Sequence, residues 1–164
     1  MTSIRRLYVD SNIFIYMFES DDKRAEQLRE LFSTSRGTQP FLTTSELTLS
    51  ETLVGAYRNS NTDLIDIYSR WTITNDYLEV GPVQRDILWA AAVLRSTHRA
   101  LKLPDAIHLA TAFAFDCSHF LTADRDLRGN YKFAETTLPT LSRVRDLVVL
   151  RPDNGILEDL LGTA

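Results

Sequence analysis

The chain reads as a single α/β domain: a parallel β-sheet with helices on both faces. Three observations predict it. Short apolar runs bounded by turn residues alternate along the chain with segments of helical periodicity, which is the pattern of strand–helix–strand crossovers. The first run, Leu7–Val9, stops at Asp10-Ser11-Asn12 and passes at once into a second apolar segment, residues 13–18, so a buried strand turns at a carboxylate into a helix. Residues 106–115 are apolar nearly all round apart from His108 and Thr111, which predicts a buried helix. In open α/β sheets ligands bind outside the carboxyl ends of the strands, so Asp10 marks the edge to watch.

In chain order, strand one is expected at residues 6–9 and its helix at 11–19. A second helix is expected at 21–35, where Ala25, Leu28, Leu31 and Phe32 recur at helical spacing, ended by Gly37 and Pro40. Residues 41–43 form a short strand candidate. Thr43-Thr-Ser-Glu46 has the spacing of a capping box and opens a helix to about Arg58. Residues 63–71 read as a helix, 77–80 as a strand closed by Gly81-Pro82, and 83–98 as a long helix with Ile87, Ala90, Ala91 and Leu94 as its stripe. Pro104 suits the first turn of the next helix, 105–116. Residues 119–122 form a strand ending at Ala123-Asp124, 125–140 read as irregular and polar, and 146–150 form a last strand ended by Pro152. The division expected is one domain over 1–151 and a tail over 152–164, with a short amphipathic helix at 156–161 that packs on the domain or on a partner.

The 164 residues suffice for one substantial core, and no repeat, low-complexity tract or linker interrupts them. The net charge of −4 excludes a bulk polycation, so any nucleic-acid binding must use a local basic patch. A single cysteine, Cys117 in an apolar context, excludes an internal disulfide and reads as a buried structural thiol. Arg5 and Arg6 are followed by an apolar run broken by Asp10 and Asn12, which is not a secretion signal. No apolar stretch is long enough to span a bilayer, so no membrane association is expected and the expected location is the cytoplasm. His98, His108 and His119 are scattered without zinc-type spacing.

The chemistry lies in the carboxylates. Asp10 and Asp124 each close a strand, where an aspartate also serves as a turn residue or helix cap. Glu51 falls on one helical side with Leu47, Val54 and Arg58, and a glutamate in an apolar stripe needs a partner. A salt bridge to Arg58 is the plain alternative. Asp105 sits in a first helical turn, which the helix dipole favours by itself. His108 lies one turn on, as a packed residue or hydrogen-bond partner before a ligand. Glu46 is explained by its capping position, and Asp126 reads as more exposed than Asp124. Asp10, Asp105 and Asp124 recur at ends of elements that a parallel sheet gathers on one edge. With Glu51 they make four carboxylates that cannot all stay ionised without cations. Mg²⁺ or Mn²⁺ fits such oxygen ligands, and in-line attack on a phosphodiester is the matching chemistry.

Four ordered motifs carry a family resemblance: Tyr8-Val-Asp10-Ser-Asn12; Ser45 with Ser50-Glu51; Leu103-Pro-Asp105-Ala-Ile-His108-Leu-Ala-Thr-Ala112; and Phe120-Leu-Thr122-Ala-Asp124-Arg-Asp126. Over residues 7–151 the chain resembles PIN-domain ribonucleases, in particular the VapC-type toxins of bacterial and archaeal toxin–antitoxin pairs. The resemblance implies a sheet of four or five parallel strands between helices and Mg²⁺- or Mn²⁺-dependent endoribonuclease activity. It places the acidic quartet on Asp10, Glu51, Asp105 and Asp124, with Asp10, Asp105 and Asp124 as metal ligands and Asn12 and Thr122 as polar support. Ser11 stands where many members have threonine. Arg125, Arg128 and Lys132, just after Asp124, are candidate contacts to RNA phosphates or a solvated charged loop. An RNA substrate, a cognate antitoxin and a homodimer are implied as partners. The apolar residues Leu64, Ile67, Tyr68 and Trp71 are candidates for a partner face or for core packing. The alternatives are an RNA-processing nuclease that is not a toxin, and a catalytically silent binding scaffold. An aspartyl-phosphate phosphatase would need an aspartate where Asn12 stands, and a receiver domain would need an acidic pair at strand one.

Overall fold

The computed structural model describes residues 4–34, 39–133 and 146–162. The elements are β1 (Leu7–Val9), α1 (Ser11–Glu19), α2 (Lys23–Ser33), β2 (Leu42–Ser45), α3 (Glu46–Arg58), α4 (Thr62–Trp71), β3 (Leu78–Gly81), α5 (Arg85–Thr97), α6 (Leu103–Ala114), β4 (His119–Leu121), β5 (Asn130–Lys132), β6 (Asp146–Leu150) and α7 (Asn154–Gly162). The strands form one sheet in the order β3-β2-β1-β4-β6-β5, parallel except for β5, which runs antiparallel to β6. Six strands replace the four or five expected. The added β5 is three residues long, with only Tyr131 buried between exposed Asn130 and Lys132, too short an alternation to read from sequence. Residues 134–140 of the segment read as irregular lie outside the described residues, as do Ser35 and Gly37.

The chain builds outward from β1 in both directions. β2 and β3 lie on one side, β4 and β6 on the other, so the order reverses beside β1. Both sheet faces are covered. Tyr8 and Phe120 point into a cluster with α5 and α6, while Leu7, Val9 and Leu121 point into a second cluster with α1, α2 and α7. This two-sided burial is why the strands read as continuous apolar runs. The α5 stripe of Ile87, Ala90, Ala91 and Leu94 is buried, and α6 is buried from Ala106 to Phe113 without a break. Leu157 and Leu160 of α7 are fully buried in the cluster shared with α2. Cys117 is fully buried and burial pushes its thiol up to about 12, which fits an inert structural residue.

Two local readings are corrected. Thr43 does not cap a helix, because Thr43 and Thr44 belong to β2; Ser45 is the cap and its Oγ accepts from the Leu47 N–H at 3.2 Å. Glu46 is the first helical residue and exposed, placed for the helix dipole rather than for a capping box. Tyr68 of the α4 apolar set is fully buried, with its hydroxyl donating to Glu19 Oε1 at 2.6 Å, and Leu64 and Trp71 pack on the same core. Tyr68 is thus core, Leu64 and Trp71 are partly buried against it, and Ile67 belongs to neither buried cluster.

At Gly81, where β3 ends, an added Cβ would come within 2.6 Å of the Phe115 ring and 2.7 Å of Thr111 Cγ2. The close approach seats the end of α6 against the sheet. Gly81→Ala is expected to cost ~1–3 kcal/mol through overpacking, read from the midpoint of urea unfolding.

Candidate metal centre at the sheet's switch point

The reversal of strand order beside β1 opens a crevice between the carboxyl ends of β1 and β4. The pairing places Val9 opposite Leu121, and the Asp10 N–H continues the ladder by donating to Leu121 O at 3.1 Å. Asp10 and Thr122 therefore leave adjacent strands side by side. Asp10 is 5% exposed. Its Oδ1 accepts from the Ser11 N–H at 2.8 Å, which caps α1. Its Oδ2 accepts from Asn12 Nδ2 and from Thr122 Oγ1, both at 2.7 Å. A carboxylate oxygen has about two lone pairs, so Oδ2 is saturated and Oδ1 keeps one free.

Asn12 and Thr122 link this carboxylate to the loop after β4. Asn12 Oδ1 accepts from the Ala123 N–H at 2.9 Å, and Thr122 Oγ1 accepts from the Asp124 N–H at 3.0 Å. Asp124 Oδ1 in turn accepts from the Asp126 N–H at 2.8 Å. Arg151 holds the same loop from β6, donating to Thr122 O at 2.9 Å and also to Leu127 O. Asp124 is half-buried and Asp126 exposed, in the order expected.

Asp105 reaches the crevice from the first turn of α6 and is half-buried. Burial raises its pKa, and the charges of Asp10 and Asp124 raise it further, so the three carboxylates share one electrostatic environment. Lys102 answers part of that charge. Its Nζ lies 3.3 Å from Asp126 Oδ2, and Asp126, Asp105 and Asp124 together hold the ammonium pKa up.

Glu51 is positioned by α3 and meets His108 of α6, not Arg58: Glu51 Oε2 lies 2.8 Å from His108 Nε2. The buried side of α3 is Thr48, Thr52 and Ala56; of the stripe assigned to Glu51, Leu47 packs on the core and Glu51 is half-buried, while Val54 and Arg58 are exposed. Burial pushes the Glu51 pKa up, but hydrogen bonds from His108 and the Ser11 hydroxyl outweigh it and the net shift is downward. His108 Nδ1 lies 2.7 Å from the Tyr8 hydroxyl, whose pKa burial keeps well above its ordinary value. With Tyr8 donating to Nδ1, or with both ring nitrogens protonated, Nε2 carries a hydrogen toward Glu51. The remaining tautomer would set two acceptors face to face at 2.8 Å. Asp10, Glu51 and His108 offer ligand atoms within 4.8 Å of one another. The Nε2 lone pair is committed as an N–H, so in this arrangement His108 is a donor and the oxygens are the ligand atoms.

The structure thus brings Asp10, Asp105, Asp124 and Glu51 to one crevice, with Asn12 and Thr122 between Asp10 and Asp124. Arg128 lines a cavity that also includes Asp105. Lys132 is exposed on β5 and pairs with Asp146 at 3.5 Å. Tyr8 and Lys102 were missed by sequence reasoning. Tyr8 read only as an apolar strand residue. Lys102, three residues before Asp105 and at the cap position of α6, was legible as the cation nearest the acidic turn.

The profile of the PIN domain family matches residues 7–132, so the chain belongs to the PIN domain family. Its fold is shared with solved toxin structures. A toxin–antitoxin complex from Klebsiella pneumoniae matches with a TM-score of 0.57 and 24% identity, covering 90% of this chain and 98% of that one. VapC20 from Mycobacterium tuberculosis, described as a sarcin-ricin loop cleaving toxin, matches with a TM-score of 0.58 and 19% identity over 73% and 91% of the two chains. VapBC2 from Rickettsia felis, bound to a DNA fragment from its promoter, matches with a TM-score of 0.56 and 13% identity over 88% and 97%. No curated protein matches at a significant level. Among the described residues no helix is long and apolar enough to cross a membrane.

Asp105 and Glu51 should respond to charge removal with opposite signs. A carboxyl whose folded pKa is raised loses stability as pH rises from its ordinary value through the raised one, so at pH 7 charged Asp105 destabilises the metal-free fold. Asp105→Asn is expected to raise Tm in chelator at pH 7 and to leave it unchanged in acid, read by calorimetry at both pH values. Glu51, with its pKa lowered, contributes stability above the ordinary glutamate value that is lost as pH falls through its folded value. Glu51→Gln is expected to cost about 1 kcal/mol at pH 7 and nothing in acid, read by calorimetry at both pH values.

Proposed function

We propose that this protein is a metal-dependent endoribonuclease that hydrolyses RNA phosphodiester bonds, acting as the toxin of a type II toxin–antitoxin pair. The observation that carries the nuclease reading is the convergence of Asp10, Asp105 and Asp124 on one crevice, with the Asp105 pKa raised by burial and then by the charges of Asp10 and Asp124. The donor set fits a hard divalent cation, since it is made of carboxylate oxygens and Asp10 Oδ1 keeps a free lone pair. Asp10 and Asp105 would hold Mg²⁺ or Mn²⁺, with Asp124 direct or through water. A divalent ion there supplies a more acidic bound water and charge neutralisation at the leaving oxygen.

The chain's own groups do the rest. Glu51, held by His108 and Ser11, orients the attacking water. Asn12 and Thr122 fix Asp10, so its free lone pair points one way without reorganisation. Arg125, Arg128 and Lys132 contact phosphates flanking the cut, Lys132 by exchanging its exposed pair with Asp146. The toxin reading is supported by family membership and by a fold shared along nearly the whole length of toxin chains. A cognate antitoxin, a structured RNA target and a homodimer follow from it as the expected partners.

Cleavage of total RNA by the purified protein is the test, with Mg²⁺, with Mn²⁺ and with chelator, beside Asp105→Asn. Cutting that needs either ion and falls ~100-fold or more in the variant is expected. Equal cutting by both proteins would assign the activity to a contaminant. Intact RNA with a folded, antitoxin-free wild type would favour a silent scaffold. In a binding titration at several salt concentrations with chelator present, alanine at Arg125, Arg128 and Lys132 together is expected to flatten the log–log salt dependence of RNA binding by ~2. An unchanged slope would return those residues to a solvated loop.

A further inference from the structure

A cavity of about 580 Å³ opens beside Asp105, between the approach to α6 and the loop that follows β4. Asp105 and Asp126 line it together with the cations Arg99, Lys102 and Arg128 and the rings of His98 and Tyr131. Three cations thus outnumber two carboxylates, one of which, Asp126, is already paired with Lys102. Arg99 and Arg128 have no carboxylate partner among the described residues. Arg128 is held in place by donating from Nε to Arg125 O at 2.6 Å. The Lys102 pair with Asp126 is mostly exposed, so little is lost when an incoming anion replaces it.

The cavity also carries an ordered ring. His98 packs on Tyr131 with centroids 5.2 Å apart and planes at 49°. Its Nδ1 is fixed by Thr97 Oγ1 at 2.9 Å and Leu94 O at 3.1 Å, while Nε2 has no partner among the described residues. An anion alone would need only the cations. A fixed aromatic ring with an open nitrogen, among three cations, also offers a stacking surface and a polar contact for a base. The volume lies in the range of sites for small organic ligands.

We propose that this cavity is a nucleotide subsite flanking the scissile phosphate. The base lies against His98, and the phosphate next to the cut lies among Arg99, Lys102 and Arg128. The inference rests on the nuclease reading and names the part of the RNA that the crevice's neighbour would hold. It adds Arg99, Lys102 and His98 to the contacts that the residues after Asp124 supply.

The test is mononucleotide binding to the full chain in chelator at low salt, followed by amide chemical shifts. The probes are the four nucleoside 5′-monophosphates, ribose 5-phosphate and inorganic phosphate. At least one nucleotide is expected to bind about tenfold more tightly than ribose 5-phosphate, with shifts centred on His98, Lys102 and Tyr131. His98→Ala should reduce that nucleotide to the affinity of ribose 5-phosphate while leaving inorganic phosphate unaffected, and His98→Phe should restore the preference. Arg99→Ala with Arg128→Ala should weaken all the probes. Equal binding of nucleotide, sugar phosphate and phosphate would overturn the subsite in favour of a plain anion site, and so would shifts elsewhere or no binding. Because this assay needs neither metal nor cleavage, the two readings fail separately. Metal-dependent cutting without mononucleotide binding here refutes the subsite alone. Binding without cutting refutes the nuclease alone.

Discussion

The site depends on the parallel pairing of β1 with β4. These strands are more than a hundred residues apart in the chain, yet their register sets Val9 beside Leu121 and so Asp10 beside Thr122. One hydroxyl and one amide then do the joining. Thr122 and Asn12 each bond both to Asp10 and to the start of the loop that carries Asp124. A shift of one residue between β1 and β4 would put Tyr8 and Phe120 on opposite faces and separate these groups. The stacked pair Tyr8–Phe120, with centroids 4.9 Å apart in the buried cluster, resists that slip. Core packing and site geometry are in this sense one constraint.

That geometry concentrates negative charge, and the molecule answers it unevenly. Glu51 is compensated locally: His108 and Ser11 donate to it, and Tyr8 secures the imidazole from behind. Asp10 is compensated by backbone and side-chain donors that use three of its lone pairs. Asp105 has no such set among the described residues, and burial together with the charges of Asp10 and Asp124 raises its pKa. A fold that satisfies two carboxylates and leaves a third in repulsion has placed its unspent electrostatic energy where a cation would release it.

Much of this was legible in the sequence because strand and helix ends carry their own signals. Asp10 ends an apolar run, Asp124 does the same, and Pro104 announces the turn that carries Asp105. The parallel, two-sided sheet followed from unbroken apolar strands. What was not legible depended on contacts between distant segments. Glu51 was noticed for a stripe whose far half, Val54 and Arg58, is exposed, and its real partner lies 57 residues away. Tyr8 showed no sign of its hydroxyl's role, since a tyrosine in a strand reads as apolar bulk. The capping box at Thr43 failed because a strand four residues long claimed the threonines first, with Thr44 Oγ1 donating to Val9 O at 2.8 Å across the sheet. A local motif lost to a tertiary hydrogen bond.

The two halves of the site also differ in how they are built. Three of the carboxylates stand on rigid elements: Asp10 at the end of β1, Asp105 in the first turn of α6 and Glu51 in the middle of α3; Asp124 stands on the loop after β4, held by Thr122. The cations, Lys132 on β5 apart, stand on connections: Arg99 and Lys102 between α5 and α6, Arg125 and Arg128 between β4 and β5. Placement on element ends preserves the sub-ångström geometry that chemistry at a phosphate demands. Loops tolerate substitution and change of length at little cost to the core. Under the proposed nuclease reading, the division would let the recognition of one RNA over another change while the reacting centre does not, because Arg99 or Arg128 can be replaced without disturbing any hydrogen bond to Asp10. On that reading, the choice of RNA would be written in the loops, and the chemistry in the pairing of β1 and β4.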